Sequence, residues 1–327
     1  MSEIKIRSYK NGDEKNFYKL DRILEEHPFN RRSIENFLWK FRGKNPFGKA
    51  TNFFCYSKKE LLAHFGAIPL IWNINNRKVL AGCSIAMMVK PEWQNKGLIK
   101  FVGDKVFVEL KKNKFNFIYG YPNNKSYDLH LKFWKYQNCI LQKTYVLKKK
   151  IKVISKNFTI KKIKKFDKHY DKFWNKNYKT HDAILDRNSN FLNWRYIDRP
   201  DCKYLCYYIF NDLNEIQGYF VLKFYKDKKL KKIHIIDIFL KNLNKVQLKQ
   251  VCYSIIETIY KCNLNENQIS FWLNGNKNLL NVFKSIGFKA CDKRVMIIKK
   301  LDERNCKINS INLSKIYFTM GDTLEIY

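Results

Sequence analysis

One short segment of the chain contains residue types that can hold an anion on the polypeptide backbone. It lies between a strand-like run and an amphipathic helix, and it reads Met87-Met88-Val89-Lys90-Pro91-Glu92-Trp93-Gln94-Asn95-Lys96-Gly97-Leu98-Ile99. A turn over residues 94–99 would leave several backbone N–H groups pointing outward at the positive end of the helix dipole. Gly97 has no side chain to obstruct a ligand, and Pro91 stops the preceding strand. The segment therefore predicts a pyrophosphate-binding turn.

The elements that would position this turn occur twice along the chain. The run Asn36-Phe37-Leu38-Trp39 is echoed by Asn190-Phe191-Leu192-Asn193-Trp194. Each run follows an alternating strand and precedes three strand-like runs, a long amphipathic helix, a further strand and a further helix. We therefore expect two similar domains, residues 1–150 and 151–327, with a linker near Lys148–Val153. Each should be an α+β (α/β) unit with a mixed, mostly antiparallel central sheet flanked by helices.

Composition narrows the class of protein. The chain has 327 residues, of which 45% are hydrophobic and 16% aromatic, enough for packed cores. This excludes a disordered or fibrous protein. No apolar run approaches the length of about 18 residues that a transmembrane helix needs, and the first residues do not resemble a secretory signal. The nine cysteines show neither CxxC pairs nor metal-ligand spacing, which predicts free thiols, no metal and a cytoplasmic location.

The formal net charge is +35, from 64 Lys and Arg against 29 Asp and Glu. Such a balance suits a nucleic acid, a membrane surface or a small anionic ligand. The excess consists mostly of lysine spread over the whole chain beside abundant Asn and Ile, as compositional drift would produce. A nucleic-acid partner is therefore a minority interpretation.

The order of elements around the turn resembles the GNAT acetyltransferase superfamily, in a tandem arrangement that covers nearly the whole chain. The family motif Q/R-x-x-G-x-G/A binds the pyrophosphate of coenzyme A, and the segment from Gln94 to Leu98 matches it. Ile99 stands where the family usually has Gly or Ala. No Q-x-x-G precedes the long helix of the second half, so the resemblance implies a first copy that is active and a second whose cofactor motif is degenerate.

The resemblance also implies roles for individual residues. Acetyl-CoA, or another acyl-CoA, would be the co-substrate, and the backbone from Met87 to Val89 would polarise its thioester. The residues expected to contact it are Met87, Val89, Gln94, Asn95, Lys96, Gly97, Leu98, Ile99, Asn123 and Ser126. The family often has a tyrosine seven residues after the asparagine, to protonate the departing thiolate. This position is occupied by His130, with Tyr127 and Tyr121 as further acid candidates. Glu92 and Asp128 are open alternatives for a general base.

The acceptor is less closely defined. Trp39, Arg42 and Asn45 lie in the region that resembles the substrate-covering helices, so we expect them near the acceptor. By analogy, this would be the amine of a small molecule or of a nucleotide-linked sugar.

Two alternatives remain. One is a Fem-like aminoacyl transferase, which doubles the same fold and uses aminoacyl-tRNA, a partner that the positive charge would suit. The other is a non-catalytic basic binding protein on a GNAT scaffold. Neither needs the pyrophosphate turn. The oligomeric state is not indicated by the sequence.

Overall fold

The structure is a computed structural model and describes residues 3–24, 33–152, 158–227, 230–262, 268–302 and 315–324. Val153, at the end of the expected linker, lies outside these ranges. The first half contains six strands and four helices, a π-helical segment (Leu38–Arg42) and a 3-10 turn (Pro91–Trp93). In chain order these are β1 (Ile4–Ser8), α1 (Asp13–Leu24), α2 (Ile34–Phe37), β2 (Thr51–Ser57), β3 (Glu60–Ile74), β4 (Arg77–Val89), α3 (Leu98–Lys112), β5 (Phe117–Gly120), α4 (Asn124–Trp134) and β6 (Gln137–Leu147).

The second half repeats this order with three short strands added. Its elements are β7 (Thr159–Ile163), α5 (Lys168–Asn177), β8 (Ala183–Leu185), α6 (Ser189–Leu192), β9 (Tyr204–Phe210), β10 (Ile216–Asp227), β11 (Leu230–Leu240), α7 (Lys245–Lys261), β12 (Gln268–Phe271), β13 (Leu273–Asn274), α8 (Lys277–Ile286), β14 (Lys289–Lys300) and β15 (Ile316–Thr319). A 3-10 turn, Met320–Thr323, follows β15. Within the described ranges, no helix is both long and apolar enough to span a bilayer.

The two echoed runs adopt the same local structure and contact each other. Each begins as a short α-helix and continues as a π-helical segment, over Leu38–Arg42 in one half and Asn193–Ile197 in the other. The Trp39 and Trp194 rings stack with their centroids 4.8 Å apart. Trp39 Nε1 also donates a 2.9 Å hydrogen bond to the Trp194 carbonyl. The repeated motif thus packs the two halves together, and the expected α+β fold with a doubled plan is confirmed.

One sheet, mostly antiparallel, runs through both halves because the halves exchange strands. β14, from the second half, is inserted between β5 and β6 of the first. β6, in turn, pairs with β12 of the second half. The order of strands along this part of the sheet is β3-β4-β5-β14-β6-β12-β11-β10-β9-β7, with β2 and β1 beside β3. A boundary near residue 150 therefore stays a prediction about the repeat in the chain, and it does not separate two closed sheets.

A second set of pairings brings the last described residues into the interior. β15 lies between β8, which it joins in parallel, and β13, while β8 pairs with β3 of the first half. Residues 320–324 after β15 are buried. The Tyr119 hydroxyl, on β5, donates to the Asp322 carbonyl at 3.1 Å. This segment therefore reaches the middle of the first half.

Helices α3 and α4 are fixed against each other at one point. Buried residues recur on α3 at three- and four-residue spacing, as an amphipathic helix requires: Leu98, Ile99, Val102, Gly103, Val106, Phe107 and Leu110. A Cβ atom at Gly103 would overlap the Trp134 ring of α4, and Trp134 Nε1 donates to Asp104 at 3.1 Å. Only glycine permits this close approach, which fixes the C-terminal end of α4 against the first half of α3.

Candidate active site

Strand β4 carries a bulge ahead of the turn. His64 on β3 is opposite Met88, whereas Gly66 is opposite Ile85, so Ala86 and Met87 together face a single residue. Ala86 has a left-handed φ of 51°, which is costly for a residue with a Cβ and is found where the surroundings enforce it. Its carbonyl oxygen lies 2.8 Å from Nδ1 of the buried His64. The bulge redirects the backbone from Met87 to Val89, the segment expected to polarise a thioester.

The sheet opens between β4 and β5 directly beyond this point. The parallel pairing of the two strands ends at Cys83 and Tyr119, although β4 continues to Val89. At Gly120 the backbones are still close, because a Cβ there would lie 3.1 Å from that of Ser84. The strands therefore diverge from this pair onward and leave a gap that the turn before α3 borders.

The turn before α3 leaves its backbone amides without acceptors among the described residues. Gly97 adopts φ 75° as the residue before α3, and a Cβ there would meet nothing within 4 Å. Asn95 is also left-handed, with φ 61°. Within the described part of the chain, the amides of residues 95–99 have no hydrogen-bond acceptor, whereas Lys100 N bonds to the Gly97 carbonyl. Gln94 Nε2 donates a 3.2 Å hydrogen bond to the Val89 carbonyl and so connects the turn to the end of β4. Such an array at the N-terminus of a fifteen-residue helix suits a phosphate group.

The corresponding turn of the second half is closed. Asn244 caps α7 by accepting from Gln247 N at 2.9 Å, and the Gln247 side chain accepts from Asn244 N at 3.2 Å. This reciprocal capping box consumes helix N-terminal donors that α3 leaves available.

The N-terminus of α4 faces the same opening. Asn123 Oδ1 accepts from Ser126 N at 2.9 Å, and Ser126 Oγ donates to the Asn123 carbonyl at 3.3 Å. The two residues therefore form an N-cap, which accounts for their three-residue spacing. A contact between them and a cofactor arm stays a prediction.

The three acid candidates lie in different surroundings. His130 is buried among aromatic rings, 5.0 Å from Tyr136 and 6.1 Å from Phe65 between centroids. Its Nδ1 is 2.7 Å from the Ser126 carbonyl, and burial lowers its pKa. These contacts favour a packing role. The Tyr127 hydroxyl donates a 2.7 Å hydrogen bond to Asn138 Oδ1 at the protein surface.

Tyr121 is the acid candidate whose hydroxyl proton is not used within the described part of the chain. It follows β5 at the edge of the opening, with its ring 5.0 Å from Phe318 and 5.7 Å from Trp272. The hydroxyl is buried and has no hydrogen-bond partner among the described residues. Burial, and secondly the Asp322 charge, raise its pKa well above the usual value. The phenol therefore stays protonated at neutral pH and can act as a hydrogen-bond donor.

The residues expected near the acceptor contact other parts of the protein, and the two candidates for the general base are exposed. Trp39 is stacked on Trp194, Arg42 lies 4.5 Å from the Tyr9 ring centroid, and Asn45 Nδ2 binds the Pro69 carbonyl at 2.9 Å. Their contacts favour packing, so their roles at the acceptor stay predictions. Glu92 is exposed 3.8 Å from Lys90 Nζ, and Asp128 is exposed on α4.

Sequence reasoning missed a buried ionic cluster beneath the last described segment. Arg187, Asp237 and Asp322 are each at most 2% exposed. Arg187 Nη2 contacts Asp322 at 2.7 and 2.8 Å, and Arg187 Nε lies 3.4 Å from both oxygens of Asp237. Burial and the Asp237 charge raise the pKa of Asp322 to about 6, against the opposing effect of Arg187. The described residues contain no group of three metal-ligating side chains.

Comparison with solved structures defines the fold class of the chain. No protein-family profile matches it, and no curated protein matches it in sequence. A GCN5-related N-acetyltransferase from Anabaena variabilis superposes with TM-score 0.70 at 10% identity, covering 92% of this chain and 73% of its own. A tandem GNAT protein of the clavulanic acid biosynthesis pathway gives TM-score 0.63 at 9% identity, with coverages of 93% and 100%. Saccharomyces cerevisiae N-myristoyltransferase with bound myristoyl-CoA superposes with TM-score 0.64 at 11% identity, covering 91% of this chain and 83% of its own. The chain therefore has a tandem GNAT fold.

Proposed function

We propose that the protein is an acyl-CoA-dependent N-acyltransferase, most simply an acetyltransferase, whose first half binds the acyl donor. The observation that carries this proposal is the set of unpaired amides at residues 95–99, placed beside the gap between β4 and β5. A thioester donor with a pyrophosphate would lay its phosphates on this turn and its arm in the gap. The capping box at Asn244 supports assigning the donor to the first half only.

The proposed acyl transfer requires few side chains. The acceptor amine attacks the thioester carbonyl carbon, and the oxyanion that forms would be stabilised by backbone N–H groups at the β4 bulge. When the tetrahedral intermediate collapses, the C–S bond breaks and the thiolate takes a proton. Because a free thiol titrates near pH ~8.5, the departing thiolate needs only a weak acid: a neutral phenol can donate a hydrogen bond to the sulfur and then its proton, and the phenolate, as the stronger base, is reprotonated from solvent. Tyr121 would supply this proton, and the amine would lose its own proton to solvent or to a nearby carboxylate.

The acceptor proposed is a primary amine on a small molecule or on a nucleotide-linked sugar, and a cytoplasmic location goes with this proposal. An aminoacyl-tRNA donor remains the second candidate because the net charge is +35. An aminoacyl-tRNA donor would not use the turn before α3, so we prefer an acyl-CoA donor.

The proposal is tested by thermal stabilisation with CoA. A ligand at about 100 times its dissociation constant adds about 2.7 kcal/mol to the folded state. Gly97→Glu should abolish this stabilisation because it places a carboxylate where the phosphate binds. Gly12→Glu is the matched control, since Gly12 also has a positive φ (97°) with nothing within 4 Å of its Cβ position. It should fold as Gly97→Glu does and still respond to CoA.

A wild-type protein that is not stabilised by millimolar CoA or acetyl-CoA would contradict the proposal. Stabilisation by RNA alone, lost steeply with salt, would instead favour the tRNA-dependent alternative.

A further inference from the structure

A large cavity lies where the strands of the two halves interleave. Asn123, expected on the cofactor arm, and the acid candidate Tyr127 lie on its border, whereas the residues that carry the proposed function, the amides of residues 95–99 and Tyr121, do not line it. Its volume is about 1150 Å³. We call it the seam cavity. It is bordered by the start of α4, by β6 and β14, and by β11 and β12 of the second half. Its size exceeds the usual range of small-ligand pockets, about 300–1,000 Å³, so a ligand as large as a nucleotide would fit.

The floor of the seam cavity is a row of paired residues that crosses three strands. His234 on β11 is opposite Ser270 on β12, and Ser270 is opposite Val146 on β6, and these three residues line the cavity. The row continues to Lys223 on β10, which is opposite His234 but outside the lining. His234 is 8% and Ser270 2% exposed, and His234 Nδ1 lies 2.7 Å from Ser270 Oγ. Buried polar side chains at the base of a cavity can bind a polar ligand without further rearrangement.

His234 stays neutral in this row. Burial is the main cause that lowers its pKa to about 3, and the positive charges of Lys223 and Lys232 lower it further. A histidine in such surroundings cannot easily accept a proton from Ser270, so the pair is unsuited to nucleophilic catalysis. It is suited to hydrogen bonding with a ligand.

The rim of the seam cavity is strongly cationic. Five basic side chains and one carboxylate, Asp292, line it, and the basic residues come from four parts of the fold: Lys125, Lys148, Lys232, Lys293 and Arg294. These residues are far apart in the sequence, yet they all line one concave surface. A concave wall of one charge sign focuses the field on a counter-ion. An arginine among them allows bidentate contact with phosphate.

We propose that the seam cavity binds the diphosphate group of a small ligand, at a site separate from the turn before α3. A diphosphate matches the convergent cations, and the remaining volume accommodates the organic part of a nucleoside diphosphate. The floor adds the polar side chains of His234 and Ser270 to the lining. A long nucleic acid is a poorer match because the lysines surround a bounded cavity and do not follow an extended track.

A thiol at the edge of the cavity allows binding to be located. Of the cysteines in the described ranges, only Cys291 is exposed. It lines the seam cavity, with Sγ 3.5 Å from Asp292 Oδ2. Partial burial raises its pKa, so alkylation by iodoacetamide is best followed at pH ~8.5, close to the titration of an ordinary thiol. Peptide mass spectrometry then measures the rate at this position alone.

The experiment compares alkylation of Cys291 in the full chain with inorganic pyrophosphate and with uridine diphosphate. At about 100 times the dissociation constant, only about 1% of the sites are free, so either probe should slow alkylation more than tenfold. The double variant Lys232→Gln/Arg294→Gln should bind pyrophosphate at least about tenfold more weakly, since charge-assisted hydrogen bonds are lost. Gly97→Glu should retain protection, because its defect lies at the other site.

The matched control removes two positive charges from a different basic concavity. Lys58 and Lys59 line a cavity of about 740 Å³ near β1, together with Lys5, Arg7 and Lys19. Lys58→Gln/Lys59→Gln should leave pyrophosphate binding within about twofold of wild type. An equal loss in both double variants would overturn the proposal, because binding would then follow the overall charge. It is also overturned if neither probe protects Cys291, if only a single-stranded RNA does so, or if Gly97→Glu alone removes protection. CoA stabilisation, measured separately, reports on the proposed function.

Discussion

The ionic cluster of Arg187, Asp237 and Asp322 gives the sharpest test of how this interior is held together. We consider Arg187→Met, which keeps an unbranched side chain and removes the guanidinium. The Arg187 side chain is 0% exposed, and it also donates to the Leu185 carbonyl at 3.1 Å. Its loss leaves two carboxylates, each at most 2% exposed, without the cation they share.

The size of the effect follows from burial. Removing one member of a buried ion pair costs about 3–5 kcal/mol, because the remaining charge stays desolvated. This is a large share of a typical folding stability of about 5–15 kcal/mol. The two carboxylates can lower the cost by taking up a proton, and Asp322 already has a raised pKa. The loss should therefore be larger at pH 8 than at pH 5.

Urea denaturation of matched variants measures this cost. Lys100→Met breaks an exposed ion pair of similar length, 2.6 Å to Asp104, with both side chains over 40% exposed. It should cost no more than about 0.5 kcal/mol. The triple variant Arg187→Met/Asp237→Asn/Asp322→Asn removes all three charges, and it should regain much of the stability that Arg187→Met loses.

Two results would refute this reasoning. If Arg187→Met cost less than about 1 kcal/mol, the cluster would be behaving as a solvated surface pair. If the triple variant were less stable than Arg187→Met at pH 8, uncompensated charge would not be the cause of the loss.

Three further predictions concern single positions. Asp322→Asn should flatten the pH dependence of stability. Because the pKa of Asp322 is raised, the folded state binds the proton more tightly than the unfolded chain does. The contribution of Asp322 to stability is therefore complete below the ordinary pKa of 3.8 and is lost as the pH rises through about 6. A retained slope in urea titrations would contradict this. Tyr121→Phe should lower turnover about 100-fold in a thiol-release assay, while Tyr127→Phe should not, and equal rates would remove Tyr121 as the acid. Gly97→Ala should cost about 1–2 kcal/mol of stability from its left-handed φ alone, matched by Gly12→Ala, and a much larger loss would mean that the turn is not open.

Much of the fold could be predicted because it is encoded in local patterns. The alternating runs near β2–β4 and β9–β11 and the amphipathic spacing of α3 and α7 all correspond to elements of the structure. The expected order ended at the last helix of each copy, so β6 and β14 were not predicted. Three shorter strands had no recognisable pattern. β8 and β13 have three and two residues, too few for alternation to be recognised, and β15 depends on partners distant in sequence.

The exchange of β6 and β14 could not be predicted for a different reason. Both strands follow the last helix of their copy, and each has an edge that either half can accept. Periodicity determines which face of a strand is buried, but it does not determine the neighbouring strand.

The site was predictable to the extent that backbone conformation is local. A glycine before an amphipathic helix can adopt a left-handed φ at no steric cost, and Gly97 does so. His130 shows the limit of a spacing argument. It is four residues before the buried Trp134, so both share the α4 face that packs on α3, and this pattern alone could have indicated a packing role. No local pattern indicates that Asp322 is buried against residues far away in the chain.

The interleaved strands also determine when a newly made chain can become complete. At the ribosome, β5 emerges long before β14, and at about 5–20 residues per second the delay is on the order of ten seconds. During this time an edge of the first half stays available to any other strand in the cell. This edge of the first half is therefore protected from premature association only after β14 has been translated and has paired with β5.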